Sequence, residues 1–182
     1  MKKFFSVIIL LISTLTIQSC KKDKDPCLDI ICKNGGTCVN GQCQCPDGYS
    51  GVSCSNQVTP ALIKVKSISV EGYPQTDNGA GWDLTSGPDI YVELSLDNTV
   101  IYTSGYYQNQ LGTANWSNLN IEINNPNSTY TIRLYDFDEL DEDDYMGGYT
   151  FTPYSSTSGF PQIRNISSGS SFKFNLSLEY FW

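Results

Sequence analysis

Hydrophobic and polar positions alternate along most of the chain after Thr59. In IYVELSL (90–96), Ile90, Val92, Leu94 and Leu96 fall on one face while Tyr91, Glu93 and Ser95 fall on the other, the two-residue period of a half-buried strand. LIKVKSISV (62–70), TVIYTS (99–104), LNIEI (119–123), YTIRLY (130–135), GGYTFT (147–152) and SFKFNLSLEYF (171–181) show the same enrichment in β-branched and aromatic residues, and QIRNI (162–166) is an eighth candidate. No helical period appears in this region. Seven or eight short strands with turn residues between them predict an antiparallel β-sandwich over 61–182.

If every strand reverses direction, loop positions follow from strand parity. The tight turns at Asp97–Asn98 and at 124–129 fall at one end of the sandwich. The segments 71–89, 105–117 and 136–145 fall at the other. Asp89, just before a strand, and Asp136, just after one, then meet in space. Asp136 and Asp138 are two apart at a strand end, so both carboxylates point to one side while Phe137 points away. Asp144 returns to the same place from the far side of the loop.

The sequence before Thr59 has a different texture. Lys2 and Lys3 precede an apolar run, FFSVIILLISTLTI (4–17), too short to span a bilayer comfortably, and residues 1–19 read as an export signal. Six of the seven cysteines (Cys27, Cys32, Cys38, Cys43, Cys45 and Cys54) crowd into 27–54, a segment too small for an apolar core, so disulfides must hold it. Six cysteines allow about fifteen pairings, and spacing alone does not choose among them. Residues 55–60, SNQVTP, read as a short polar linker.

Charge and composition narrow the function classes. The net charge of -8 argues against nucleic acid as a partner, and the chain contains no histidine, which removes the commonest general base and most zinc sites. From Thr59 onward fifteen acids face five bases. Seven carboxylates fall within the nine residues 136–144. Calcium is a hard cation that takes six to eight or so oxygens from carboxylates and carbonyls, so clustered aspartates without histidine or free thiol favour it over zinc or copper. Paired carboxylates could in principle serve hydrolysis of a glycan, but with no histidine, a small β domain and the carboxylates committed to a cation, the chain reads as a non-enzyme.

Three resemblances sharpen these expectations. Ser19 directly before Cys20 resembles the lipobox of bacterial lipoproteins, with Ile17 and Gln18 loose matches at the two earlier positions. That resemblance implies a lipidated Cys20 as the first mature residue, a tether over 20–26, and a membrane-anchored protein at a bacterial outer membrane or cell surface; a periplasm-facing or secreted protein is the alternative. Assigning Cys20 to lipid leaves an even six cysteines. CKNGGTC (32–38) and CQCPDGYSGVSC (43–54) resemble an EGF-like domain, which implies Cys27–Cys38, Cys32–Cys43 and Cys45–Cys54. Pro26 stands where calcium-binding members of that family carry an acid or glutamine, so this module is expected to be a spacer without calcium.

GWDLTSGPDIYVEL (81–94), ANWSNLNIEI (114–123) and LYDFDELDEDDYMGG (134–148), in that order, resemble a C2 domain. The resemblance implies an eight-stranded sandwich of type II topology, its last strand filling an edge position, and calcium held by Asp83, Asp89, Asp136, Asp138 and Asp144. Glu139, Asp141, Glu142 and Asp143 are expected to face solvent. Trp82, Leu84 and Leu140 occupy loop-tip positions that in many C2 domains contact phospholipid, but the five bases of this domain supply little of a basic groove. The expected function is calcium-dependent adhesion or interaction with a protein or glycan ligand, the alternative being calcium-dependent phospholipid binding.

Overall fold

A computed structural model of the chain describes residues 24–83, 85–169 and 171–182. The expectations placed on the leader 1–19, on Cys20 and on Leu84 lie outside the described residues. Among the described residues every regular element is a strand.

In the first module β1 (Thr37–Val39) and β2 (Gln42–Gln44) form a hairpin. Its turn residues Asn40 and Gly41 both take positive φ, 49° and 84°, the backbone that matches the twist of a two-residue hairpin. β3 (Tyr49–Ser50) pairs with β4 (Asn56–Gln57), so part of the segment expected as a linker is hydrogen-bonded into this module. Cys27–Cys38, Cys32–Cys43 and Cys45–Cys54 are joined, the pairing that the resemblance implied. Cross-links substitute here for a core, since Cys54 is the module's one member of the buried apolar set among the described residues.

The sandwich begins with β5 (Leu62–Glu71) and continues through β6 (Ile90–Leu96), β7 (Thr99–Thr103), β8 (Ala114–Trp116), β9 (Ile121–Ile123), β10 (Tyr130–Asp136), β11 (Asp144–Phe151), β12 (Ile163–Ile166) and β13 (Lys173–Phe181). One sheet is ordered β11-β10-β6-β7. The other is ordered β12-β13-β5, with β8 and β9 lying successively along the outer side of β5. Counting β8 and β9 as one interrupted strand gives eight, all antiparallel. The expected strand at 119–123 is therefore shorter than predicted, and Asn118, at φ 57°, breaks the line between its halves.

The last strand corrects one expectation. β13 is not at an edge: it pairs with β12 on one side and with β5 over nine positions on the other. Phe174, Leu176 and Leu178 are buried on its inner face, so apolar burial places it in the middle of its sheet. β12, with Ile163 exposed, takes the edge instead.

The core lies between the sheets. Ile63, Val65, Ile68 and Val70 of β5 meet Ile90, Val92 and Leu94 of β6, Ile132 and Leu134 of β10, and Phe174 and Leu176 of β13, all of them fully buried. At about 25 cal/mol per Å² of apolar area, each such side chain contributes roughly 1.5–3 kcal/mol before entropy is counted.

The two modules touch through aromatic rings. Tyr49 packs edge-on against Phe160 at 5.4 Å, and Phe160 packs edge-on against Trp182 at 4.9 Å. The Trp182 indole N–H donates to the Val58 carbonyl at 3.2 Å, and the Val58 N–H donates to the Gly48 carbonyl at 2.8 Å. Gly48 is required at this seam: its φ is 84°, and a Cβ there would come within 2.6 Å of both Phe160 and Trp182. β5 starts at this junction and runs ten residues to Glu71, so the loops after Glu71 open roughly 33 Å away at the far end.

Candidate metal centre

Four segments meet at that far end. Pro88 and Asp89 lead into β6, and Asp136 is the last residue of β10. In the sheet register Asp136 pairs with Ile90 on one side and with Asp144 on the other. Paired residues share a face, so Asp144 is set on the side of Asp136, as strand parity predicted. A register shift after Leu134 inserts Met146 into β11 and brings Asp144 into line. Gly147, at φ 140°, makes the bend possible, because a Cβ there would stand 2.6 Å from the Phe172 ring.

Asp136 is fully buried, an unusual place for a carboxylate. Its Oδ1 accepts the Asp89 N–H at 2.5 Å, while Oδ2 is buried without a hydrogen-bond partner. Burial, followed by the charges of Asp83, Asp138 and Asp89, outweighs that hydrogen bond and pushes its pKa up from 3.8 to about 6. Asp138 is also raised, first by burial and then by Asp144, Asp83, Asp141 and Asp143. These carboxylates disturb one another through space, although 55 positions separate Asp83 from Asp138 in the chain.

Beside the buried Asp136, which does not itself line it, lies a cleft of about 760 Å³ whose lining includes Phe137, Asp83, Asp89, Asp138 and Asp144. Asp89 Oδ1 accepts the Asn109 N–H at 2.7 Å, which ties the loop 104–113 to the cleft. Asp83 Oδ2 accepts from the Ser86 hydroxyl at 2.9 Å. Among the described residues, no three acidic side chains are gathered tightly enough to hold a metal ion as they stand.

Several expected positions differ in detail. Glu139, Asp141 and Glu142 are exposed, as expected, but Asp143 is half-buried. Its Oδ2 accepts from the Tyr91 hydroxyl at 2.6 Å and its Oδ1 accepts the Asp138 N–H at 3.1 Å. Asp143 thus fastens the acidic loop to β6. Burial, and then Asp143 itself, holds the Tyr91 phenol well above its ordinary range, so Tyr91 remains a donor. The sequence offered one faint signal of this bond: Tyr91 is an aromatic residue on the outward face of a strand that leads out of the acidic cleft.

Trp82 is not a free loop tip. It is half-buried against the core and its indole N–H donates to the Pro74 carbonyl at 2.9 Å. Leu140 is 95% exposed, and Leu111, which sequence reading passed over, is 65% exposed on the neighbouring loop.

Residues 20–54 match the family model of the EGF-like domain. A 47-residue stretch is 43% identical to the Mus musculus cadherin EGF LAG seven-pass G-type receptor 2, covering 24% of this chain and 2% of that protein. A 27-residue stretch is 56% identical to the putative protein tag-53 of Caenorhabditis elegans, covering 15% of this chain and 2% of that protein. The chain thus spans about 2% of the length of these curated relatives. Among solved structures, human GIVD cytosolic phospholipase A2 in complex with methyl gamma-linolenyl fluorophosphonate matches 66% of this chain and 17% of its own, with a TM-score of 0.51 at 15% identity. A structure described as that of a C2 domain matches 66% of this chain and 98% of its own, with a TM-score of 0.48 at 12% identity. The sandwich is C2-like. At these identities the likeness extends to the fold, and the chemistry of the C2-like cleft rests on its own residues.

Those residues suit a hard cation. Every side chain around the cleft that could ligate offers oxygen, and the buried, unpartnered Asp136 Oδ2 has a free acceptor site on a group that is costly to ionise alone. Asp83, Asp89, Asp136, Asp138 and Asp144 are the carboxylates that could hold such a cation.

Proposed function

We propose that this chain is a surface-anchored lipoprotein whose C2-like domain binds calcium and uses the loaded loops for adhesion to a protein or glycan ligand. The observation that carries the calcium assignment is the buried carboxylate of Asp136, with one oxygen unpartnered, next in the chain to a cleft lined by five further aspartates. Three disulfides belong to an oxidising compartment, which supports an exported protein. The seam at Gly48, Tyr49, Phe160 and Trp182 joins the EGF-like module to the end of the sandwich opposite the cleft. An anchor at Cys20 would therefore leave the acidic loops pointing outward.

Calcium binds the folded chain and hardly the unfolded one, so it stabilises folding by about 2.7 kcal/mol at a hundredfold excess over its dissociation constant. Magnesium does much less, because it demands octahedral geometry and gives up water reluctantly. The test is thermal melting in calcium, magnesium or chelator. Asp138→Asn removes a charge at the centre of the cleft and should erase most of the calcium-induced rise. Glu142→Gln, on an exposed acid, should leave it intact. Equal sensitivity of the two variants would reduce the run to a diffuse acidic surface.

Exposed Leu140 and Leu111 beside the cleft favour a second reading, calcium-dependent phospholipid binding. The acids on both sides of Leu140 and the scarcity of bases weigh against it. Sedimentation of the non-acylated protein with anionic liposomes in calcium, lost in Leu140→Ser, would bring that reading forward.

A further inference from the structure

The EGF-like module carries large aliphatic side chains that its cross-links leave outside any core. Leu28 is 66% exposed, Ile31 81% and Val52 96%. Ile31 and Val52 join Ile30 around one shallow groove of about 460 Å³ that also includes Gly41 and Gln42. Scattered apolar residues are ordinary on a surface, but a shared apolar groove on a module this small marks a contact.

The position of the groove indicates what that contact is. Gly41 lies against Pro26: a Cβ built there would meet the proline ring at 3.5 Å. The groove therefore borders the point at which the chain enters the module. Pro26 is six positions after Cys20, a reach of at most about 20 Å when fully extended. Whatever holds Cys20 holds the groove close by. Charge agrees with this placement. Residues 21–54 contain four lysines and four aspartates, whereas fifteen acids face five bases beyond Thr59. Near a bilayer with anionic lipid the neutral module is tolerated and the acidic sandwich is pushed away.

We infer that Ile30, Ile31 and Val52 form a foot that rests on the phospholipid bilayer in which Cys20 is anchored, their side chains at the boundary between headgroups and acyl chains. The inference rests on the anchored reading for its membrane. A single acyl chain holds a protein only marginally, and a patch of this kind adds a second, reversible contact. Its larger effect is on direction. The aromatic seam passes the orientation of the module to the sandwich, and the calcium cleft, about 33 Å beyond the seam, is held away from the anchoring membrane.

The chain from Cys20 to Trp182, with its other six cysteines oxidised, can be coupled through the Cys20 thiol to a maleimide lipid in phosphatidylcholine vesicles. Amide hydrogen exchange is then read by mass spectrometry. The chemical tether replaces the acyl chains, so the result does not depend on whether the cell lipidates Cys20, which detergent-phase partition of the cellular protein reports separately. Peptides over 30–32 and 51–53 should exchange on the order of tenfold more slowly on vesicles than in solution, because the tether raises the effective concentration of the surface. Peptides around Leu140 should be unchanged. Ile31→Ser with Val52→Ser should lose the protection while matching the wild type in solution; if the double variant exchanges faster in solution, Val52→Ser alone, at an almost fully exposed position, gives the same comparison. Exchange unaffected by vesicles overturns the inference, and so does protection that survives the substitutions. Protection that rises with the density of coupled chains also overturns it, since a second copy would then be covering the groove.

Discussion

Asp136→Asn should make the calcium-free protein more stable and the protein blind to calcium. In the wild type the buried carboxylate has its pKa raised from 3.8 to about 6, so at neutral pH folding must bury an ionised group in an environment that resists the charge. A rise of about two units corresponds to about 3 kcal/mol, an upper bound because loops and water relax around a charge. Asparagine keeps the Oδ1 acceptor for the Asp89 N–H and places an N–H donor where Oδ2 lacks a partner. The net gain without calcium is about 1–3 kcal/mol, which for a domain of this size raises the melting temperature by roughly 4–10 °C. The sign with pH follows from the raised pKa. Between 3.8 and about 6 the folded chain holds the proton and the unfolded chain does not, so wild-type stability in chelator falls as pH rises through that window and stays lower above it. Asp136→Asn should flatten that limb. The assay is melting in chelator across pH 4–8, repeated in millimolar calcium. A variant less stable than wild type in chelator at neutral pH, or one that keeps the calcium-induced rise, would refute the reasoning.

Three further outcomes follow from other parts of the molecule. Tyr91→Phe removes the 2.6 Å bond that fixes Asp143, and through it the Asp138 backbone, so calorimetry should show calcium affinity weakened by about fivefold to tenfold, a part of the worth of a charge-assisted bond because the loop can relax; unchanged affinity would remove Asp143 from the loop's support. Gly48→Ala places a methyl 2.6 Å from Phe160 and Trp182 on a backbone that disfavours side chains, so it should cost about 1–3 kcal/mol and speed proteolysis between Ser55 and Pro60, whereas an unchanged digestion pattern would mean the seam does not couple the modules. Cys20→Ala should shift the protein from the detergent phase to the aqueous phase; wild-type protein already in the aqueous phase would show that no lipid is attached.

Strand periodicity was the most legible layer of this chain. Alternation in 130–135 and over Ile90–Leu94 marked the buried face because each strand has one face on the core and one toward solvent, but the period slips elsewhere: in 62–70 the buried set passes from Ile63 and Val65 to Ile68 and Val70 across a register shift, and at the end of β6 Ser95 is buried where the alternation placed it outward. β8 lacks that signature: Ala114–Trp116 is too short to show a period, and it reads as a loop until β5 supplies its partner. The interior place of β13 was hidden for a related reason. Alternation tells which face is buried but not how many neighbours a strand has, and strand order depends on pairing between distant segments. In the acidic loop, the offsets among Asp136, Asp138 and Asp144 were readable because strand geometry fixes them. The role of Asp143 was not, since it depends on a hydroxyl 52 residues earlier in the chain. The exposed groove of the EGF-like module was likewise hidden, because Ile31 and Val52 resemble core residues until disulfides are seen to do the work of a core.

The central claim is tested most directly by a crystal structure grown in calcium chloride, with the ion located by its anomalous scattering. An ion should appear above Asp136, with carboxylate oxygens of Asp136, Asp138, Asp144, Asp83 and Asp89 drawn in to roughly 2.3–2.6 Å and Asp136 Oδ2 among them. A cleft without an ion at millimolar calcium, or an ion held only by the exposed Glu139, Asp141 and Glu142, would contradict the assignment.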